Sequence, residues 1–121
     1  MSENEIEIKL HVIKDLDTFL KTIDDDKKIF IIVGENCAEC DSFLYSIADC
    51  VEKDDAEYIE IIYLSADLDE ELGEYIVSKL NVYIPFFIID QKIFFDMDIL
   101  KLRDMFCEEK DKKKKRKIFK Q

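Results

Sequence analysis

Apolar and polar side chains alternate strictly over residues 5–13: Ile6, Ile8, Leu10 and Val12 fall on one face, Glu5, Glu7, Lys9 and His11 on the other. A period of two is that of a half-buried strand, so a strand is predicted here with His11 on its polar face. Asp15 can cap a helix through its carboxylate, and Leu16, Phe19, Leu20 and Ile23 then recur at helical spacing up to the polar stretch 24–28. Ile29 to Val33 is an unbroken apolar run closed by Gly34, the pattern of a strand covered on both faces. From Cys37 to about Lys53, the residues Phe43, Leu44, Ile47, Ala48 and Val51 mark one face of a helix that Asp54 and Asp55 end.

The alternation of element types continues. Tyr58 to Leu64 predicts a second apolar strand, and Ser65 or Asp67 caps a helix carrying Leu68, Leu72, Ile76, Val77 and Leu80. Tyr83 to Ile89 reads as a strand interrupted by Pro85, with Gln91 and Lys92 as a tight turn and Ile93 to Phe95 as the returning partner. Asp96 or Asp98 caps a last helix bearing Ile99, Leu100, Leu102, Met105 and Phe106. The predicted order is β-α-β-α-β-α-β-β-α. Strands separated by helices imply a mainly parallel sheet with helices on its faces, and the closing hairpin adds an antiparallel edge. The fold class is therefore α/β with a central mixed sheet, in one domain over 1–109.

Composition narrows the chemistry. With two glycines and one proline in 121 residues, a glycine-rich phosphate loop has no raw material, since close backbone approach needs residues without a Cβ. His11 is the one histidine, which removes triad hydrolysis and histidine-rich zinc sites. The net charge of −11 divides unevenly: residues 110–121 hold eight of the 18 Lys/Arg and one of the 29 Asp/Glu, or +7, leaving −18 for 1–109. An acidic body repels a phosphate backbone, so weak nucleic-acid contact is expected only through the basic tail. The tail after Glu109 reads as a low-complexity segment, either a frayed helix end or a disordered arm, and its Lys112–Lys117 run resembles a nuclear localisation signal. The start, MSENEIEIKL, lacks the basic and apolar regions of a signal peptide, and no run of 18 apolar residues occurs. A reducing compartment is expected, cytoplasmic with a nuclear option.

In such a compartment the four cysteines, Cys37, Cys40, Cys50 and Cys107, are read as catalytic, metal-binding or core residues rather than as a structural disulfide framework. Cys37 and Cys40 lie three apart where a strand turns into a helix. That spacing puts both sulfurs on one side of the first turn, close enough to alternate between dithiol and disulfide. Cys37 gains most, because unpaired N–H groups and the positive end of the helix dipole stabilise its thiolate, the nucleophile of thiol–disulfide exchange. Cys40 would resolve the mixed disulfide. Zinc needs four ligands, and Cys50, Cys107 and His11 offer no second paired spacing. Cys50, ten residues after Cys40, would be about 15 Å away along a helix axis, beyond a disulfide's reach. Its spacing with Phe43 and Ile47 reads as a buried small apolar residue. For Cys107, core and exposed positions both remain open.

At FIIVGENCAEC, LSADLDEELGEYIVSKLNV and Ile84-Pro85 the chain resembles the thioredoxin family over about residues 5–107. The resemblance implies a thioredoxin fold, catalytic Cys37 and Cys40, a cis proline at Pro85 facing them, and substrate contacts at Ile84 and the motif residues Asn36, Ala38 and Glu39. It implies protein disulfides as substrates, a flavin-dependent thioredoxin reductase as electron donor, and no bound cofactor or metal. Four departures bear on activity. Asn36 stands where that family usually has tryptophan, and Ala38-Glu39 where it has Gly-Pro. The buried acid expected six residues before Cys37 is Ile31, and the buried lysine of the next strand is Tyr63. Proton management at Cys40 must then rely on solvent or another group, and slower exchange is expected. Glu35, Glu39 and Asp41 around the thiolate oppose its charge, favouring a reductant over an oxidant. Glu39 and Asp41 read equally well as first-turn acids that complement the helix dipole. The competing reading is a redox-inactive or weakly active protein-interaction module on the same fold.

Overall fold

In the computed structural model, which describes residues 7–119 and side chains as far as Lys114, the N-terminal segment forms strand β1 (Lys9–Ile13). Met1–Ile6 and residues 120–121 lie outside the described residues, and with them the start of the predicted 5–13 strand. The strand is followed by α1 (Leu16–Ile23), β2 (Ile29–Gly34), α2 (Ala38–Ile47) and a short 3-10 turn at Lys53–Glu57. Next come β3 (Ile59–Leu64), α3 (Glu70–Glu74), a π-helical turn (Tyr75–Lys79), β4 (Phe86–Ile89), β5 (Lys92–Phe94) and α4 (Ile99–Phe119). The sheet order is β1-β3-β2-β4-β5, with the β1–β3 and β3–β2 pairs parallel and the β2–β4 and β4–β5 pairs antiparallel. This is the mixed α/β architecture that the periodicities predict.

Two cores sit on opposite faces of the sheet, as the period of two requires. Phe30, Ile32, Ile62, Leu64, Phe86 and Ile88 meet Phe19 of α1 and Leu72 of α3. Ile29, Ile31, Val33, Ile59, Phe87 and Ile89 meet Phe43 and Ile47 of α2 and Leu102 and Phe106 of α4. Phe43, Phe87 and Phe106 form a stacked and edge-on aromatic cluster, with centroids 5.3–6.3 Å apart. Such rings bind α2 and α4 to each other through the sheet's central strands.

Several local expectations change. The apolar face of β1 is the uncovered one: Leu10 and Val12 are 56% and 62% exposed, whereas Ile13 on the other face is 2% exposed. Alternation reveals that a strand has two faces; the helices packed from elsewhere decide which is covered, and at β1 the covered face is that of Ile13, which shares a core with Phe19 of α1. Helix α2 stops at Ile47 rather than near Lys53, because the chain tightens through Ala48–Cys50, where the Cys50 N–H bonds back to the Ile47 carbonyl. Helix α3 begins after Asp69, not after Ser65 or Asp67, and leaves Val77 exposed on the π turn. The hairpin turns at Asp90 and Gln91, one residue earlier than predicted, with φ of 53° and 65°. Two successive positive φ values match the twist of a two-residue hairpin.

His11 is engaged rather than solvated: its Nε2 lies 2.6 Å from Glu60 Oε1, and Lys28 Nζ lies 3.2 Å from Oε2. Burial alone would raise the Glu60 carboxyl, but hydrogen bonds from His11 and Lys28 outweigh it and hold the group below its usual value. A carboxylate with a depressed folded value contributes stability above its unfolded value, near 4.5, and loses it as pH falls through the folded one. Glu60→Gln is therefore expected to cost about 1–2 kcal/mol at pH 7. The gap to wild type should narrow in chemical denaturation as pH falls below the unfolded value of 4.5 and through the lower folded one; a gap independent of pH would contradict this assignment.

Helix α4 runs ten residues past Glu109, the boundary expected from the sequence. Its buried face continues from Leu102 and Phe106 into Lys110 and Lys113, which are 3% and 8% exposed. Lys113 Nζ donates to the Asp26 carbonyl and pairs with Asp90 at 3.1 Å, while Lys114 pairs with Glu52 and Asp54. The first lysines of the basic run are thus docked on the acidic body, and a solvated arm does not begin at residue 110. Apolar periodicity ends at Phe106, but helical burial does not, because acceptors on neighbouring segments take over from apolar contacts.

Candidate redox site

The buried strand β2 delivers the chain to the site. After Gly34 it turns through Glu35 and Asn36, which holds a left-handed φ of 53°, a conformation that asparagine tolerates better than most residues. Cys37 follows as the N-cap of α2, in extended backbone, and its sulfur accepts a hydrogen bond from the Cys40 N–H at 3.1 Å. Cys37 and Cys40 are joined as a disulfide, with Cα atoms 5.2 Å apart. The two sulfurs are not equivalent. Cys37 is half-buried, and Cys40, one turn deeper, is 1% exposed among the residues packed on Phe43 and Ile31. A cap position aims the unpaired N–H groups of the first turn at one sulfur only, which favours a thiolate at Cys37. Burial in apolar surroundings favours the neutral thiol at Cys40.

The structure places each residue anticipated for the site. Ala38 and Glu39 are exposed in the first turn of α2, and Asn36 is exposed just before it. The Ile84-Pro85 peptide bond is cis, as the resemblance implies. Pro85 is buried and Ile84 half-buried, with Cys37 and Ile84 packed on the same core cluster. Ile84 lies over Gly34: a Cβ built on that glycine would stand 2.7 Å from Ile84 Cδ1 and 3.3 Å from the Leu64 carbonyl. The missing side chain at Gly34 is what lets the 84–85 segment close over the end of β2. Of the three acids expected around the thiolate, Glu39 and Asp41 stand exposed in the first turn of α2. Glu35 turns away to accept the Ala66 N–H at 3.4 Å. Beneath the site Ile31 is 1% exposed and Tyr63 is half-buried in the same core, so the positions of the absent acid and lysine are filled by packing.

Sequence reasoning missed a second constellation on the same helices. Cys50 is not an isolated core residue: it forms a disulfide with Cys107 of α4, with Cα atoms 5.9 Å apart. Beside it Lys110 Nζ donates to the Cys50 carbonyl and to Asp55 Oδ2 at 3.2 Å. The Tyr58 hydroxyl donates to Asp55 Oδ1 at 2.9 Å. Asp55 is fully buried; burial, followed by its hydrogen bond to Asp55, pushes the Tyr58 hydroxyl well above the usual tyrosine range. The expectation that no structural disulfide joins these cysteines is therefore corrected. The missed signal was the element order, which puts α2 and α4 on one face of the sheet and so brings their ends together. Among the described residues no group of His, Cys, Asp and Glu is arranged to hold a metal ion, and no helix is long and apolar enough to cross a membrane.

The chain matches no family model, and no curated protein matches its sequence. Solved structures do match. The thioredoxin of Malassezia sympodialis, Mala s 13, superposes with a TM-score of 0.56 at 13% identity, over 91% of this chain and 96% of that one. Fasciola hepatica thioredoxin matches with a TM-score of 0.45 at 17% identity, over 78% of this chain and 94% of that one. At such identity the likeness is one of fold: the architecture is thioredoxin-like, and a Cys37–Cys40 pair stands at the start of α2.

Proposed function

We propose that the protein is a thiol–disulfide oxidoreductase that reduces protein disulfides. The observation that carries this reading is the inequivalence of the pair, with Cys37 half-buried at the helix cap and Cys40 sealed one turn below. In the dithiol form the Cys37 thiolate attacks one sulfur of the substrate, whose S–S bond breaks and releases a thiolate. Cys40 then attacks Cys37 Sγ, expels the second substrate thiol and closes the Cys37–Cys40 disulfide. Two electrons pass to the substrate. A flavin-dependent thioredoxin reductase would return them. Ile84, half-exposed beside the pair, docks the substrate backbone together with Pro85, and Asn36, Ala38 and Glu39 border it.

Glu39 and Asp41 at the exposed first turn favour neutral or basic segments around the substrate disulfide. With Ile31 and Tyr63 in place of an acid and a lysine, the Cys40 proton passes to solvent or to another group, and the whole exchange is slow. The compartment proposed is the cytoplasm, with the nucleus reached through the basic end of the chain. The experiment is a trap. Cys40→Ser, reduced and mixed with a protein carrying an exposed disulfide, should accumulate a covalent complex through Cys37, and the wild type should turn over without accumulating one. Absence of any Cys37-linked complex, together with no turnover by the wild-type dithiol, would leave the interaction module as the function.

A further inference from the structure

The Cys50–Cys107 bridge lies away from the reaction just described. It joins the turn after α2 to the middle of α4 across 57 positions of sequence. Both cysteines are half-buried, on the rim of the core that α2 and α4 share. Two independent sets of contacts flank them. On one side Leu102 and Phe106 are fully buried, with Phe106 edge-on to Phe43 and Phe87. On the other, Lys110 and Lys114 of α4 hold Asp55, Glu52 and Asp54, all in the 48–58 loop, and Lys110 also binds the Cys50 carbonyl. The apolar set secures α4 to the sheet without the bridge. The far end of the loop is anchored in the core by Tyr58 and by the buried Lys110–Asp55 pair, whereas residues 48–54 are exposed or half-buried and are held to α4 by the bridge and by the partly exposed pairs of Lys114.

We propose that Cys50–Cys107 is a second redox site, a latch between the 48–58 loop and α4 that a dithiol opens while the protein stays folded. The co-substrate class is a dithiol. One of its thiolates attacks a sulfur of the bridge, the Cys50–Cys107 bond breaks, and the other cysteine leaves as a thiolate that takes a proton. The reductant's second thiol then displaces the mixed disulfide, so the reductant becomes a disulfide and the protein gains two electrons and two protons. With the cross-link gone, residues 48–54 of the loop open and close on their own while Asp55 and Tyr58 stay buried. Regions held by few buried apolar contacts are the ones that open locally.

The test uses the full chain carrying Cys37→Ser and Cys40→Ser, so that Cys50–Cys107 is the one disulfide present and the result is independent of the proposed reductase activity. Should that variant not fold, wild type with peptide mapping separates the two pairs. The air-oxidised protein is titrated with dithiothreitol without denaturant, alkylated, and mapped by mass spectrometry. Hydrogen exchange is followed in both states. The expected result is paired alkylation of Cys50 and Cys107 in protein that keeps its native circular dichroism. Amides of 50–54 should lose protection by roughly tenfold or more while those of β2 hold theirs. Re-oxidation should restore both. The proposal is overturned if the cysteines alkylate as free thiols in the oxidised protein, if the bridge yields only once the whole fold unfolds, or if reduction leaves protection at 50–54 unchanged.

Discussion

Cys37→Ser is expected to slow reduction of a protein disulfide by a factor of at least about 1,000, with the fold intact. The argument begins at the helix cap. Only the sulfur of residue 37 stands where the first-turn N–H groups converge, and it accepts the Cys40 N–H at 3.1 Å. A serine hydroxyl keeps that hydrogen bond, so the helix start survives, but it is not ionised near neutral pH and cannot open a disulfide. Cys40 cannot substitute, because it is 1% exposed and a substrate sulfur has no line of attack to it. Stopped-time assays of thiol release, with circular dichroism as the fold control, measure the effect. A companion measurement separates the enzyme from the interaction module: the alkylation rate of Cys37 in the Cys40→Ser variant, followed against pH. A midpoint below about 8.5 shows the thiolate stabilised by its position, whereas a midpoint at or above it removes the basis for catalysis.

Lys110→Met should cost about 3–5 kcal/mol of stability, more than any other single lysine substitution among residues 110–114. Asp55 is fully buried, and its carboxylate is met by Lys110 Nζ at 3.2 Å and the Tyr58 hydroxyl at 2.9 Å. Removing the cation leaves a buried carboxylate that must either stay charged without its partner or take up a proton. The hydrogen bond to the Cys50 carbonyl is lost as well. Lys112, whose ion pairs with Glu108 and Glu109 lie at the surface, is the control, and Lys112→Met should stay within about 0.5 kcal/mol. Adding Asp55→Asn to Lys110→Met should recover part of the loss by removing the buried charge, but not all of it, since one amide oxygen cannot accept both the Tyr58 hydroxyl and the Glu52 N–H that the two carboxylate oxygens accept. The midpoint of urea unfolding reads all of these with an unchanged slope. Equal costs at 110 and 112 would mean that the pair contributes nothing beyond a surface bridge.

The sequence was most legible where a local pattern and its physical cause coincide. The run Ile29–Val33 is a central strand because a continuous apolar segment is stable only between two covered faces, and it is buried on both. Asp98 caps the last helix by accepting the Leu100 N–H, as its position before an apolar-periodic segment predicts. The Cys37–Cys40 spacing places the pair at a helix start for the same local reason, so the candidate site could be read before any fold was known. The errors share one cause, dependence on a distant segment. Leu10 and Val12 sit on a strand face that no helix covers. The spacing of Cys50 from Cys40 speaks only of one helix, whereas its partner Cys107 arrives 57 positions later. Lys110 and Lys113 look like the start of a solvated basic run until Asp55, Asp90 and the Asp26 carbonyl are brought up to them.

The sequence by itself determined the order of strands and helices, the α/β class and the dithiol spacing at a helix cap, because periodicity, capping and helical geometry act over a few residues. Only the tertiary structure decided which face of β1 is bare, that α4 carries the basic run back onto the acidic body, and that Cys50 meets Cys107. Those outcomes depend on which surfaces the packed helices leave uncovered and which charges and sulfurs they bring together. No pattern within a single segment encodes that.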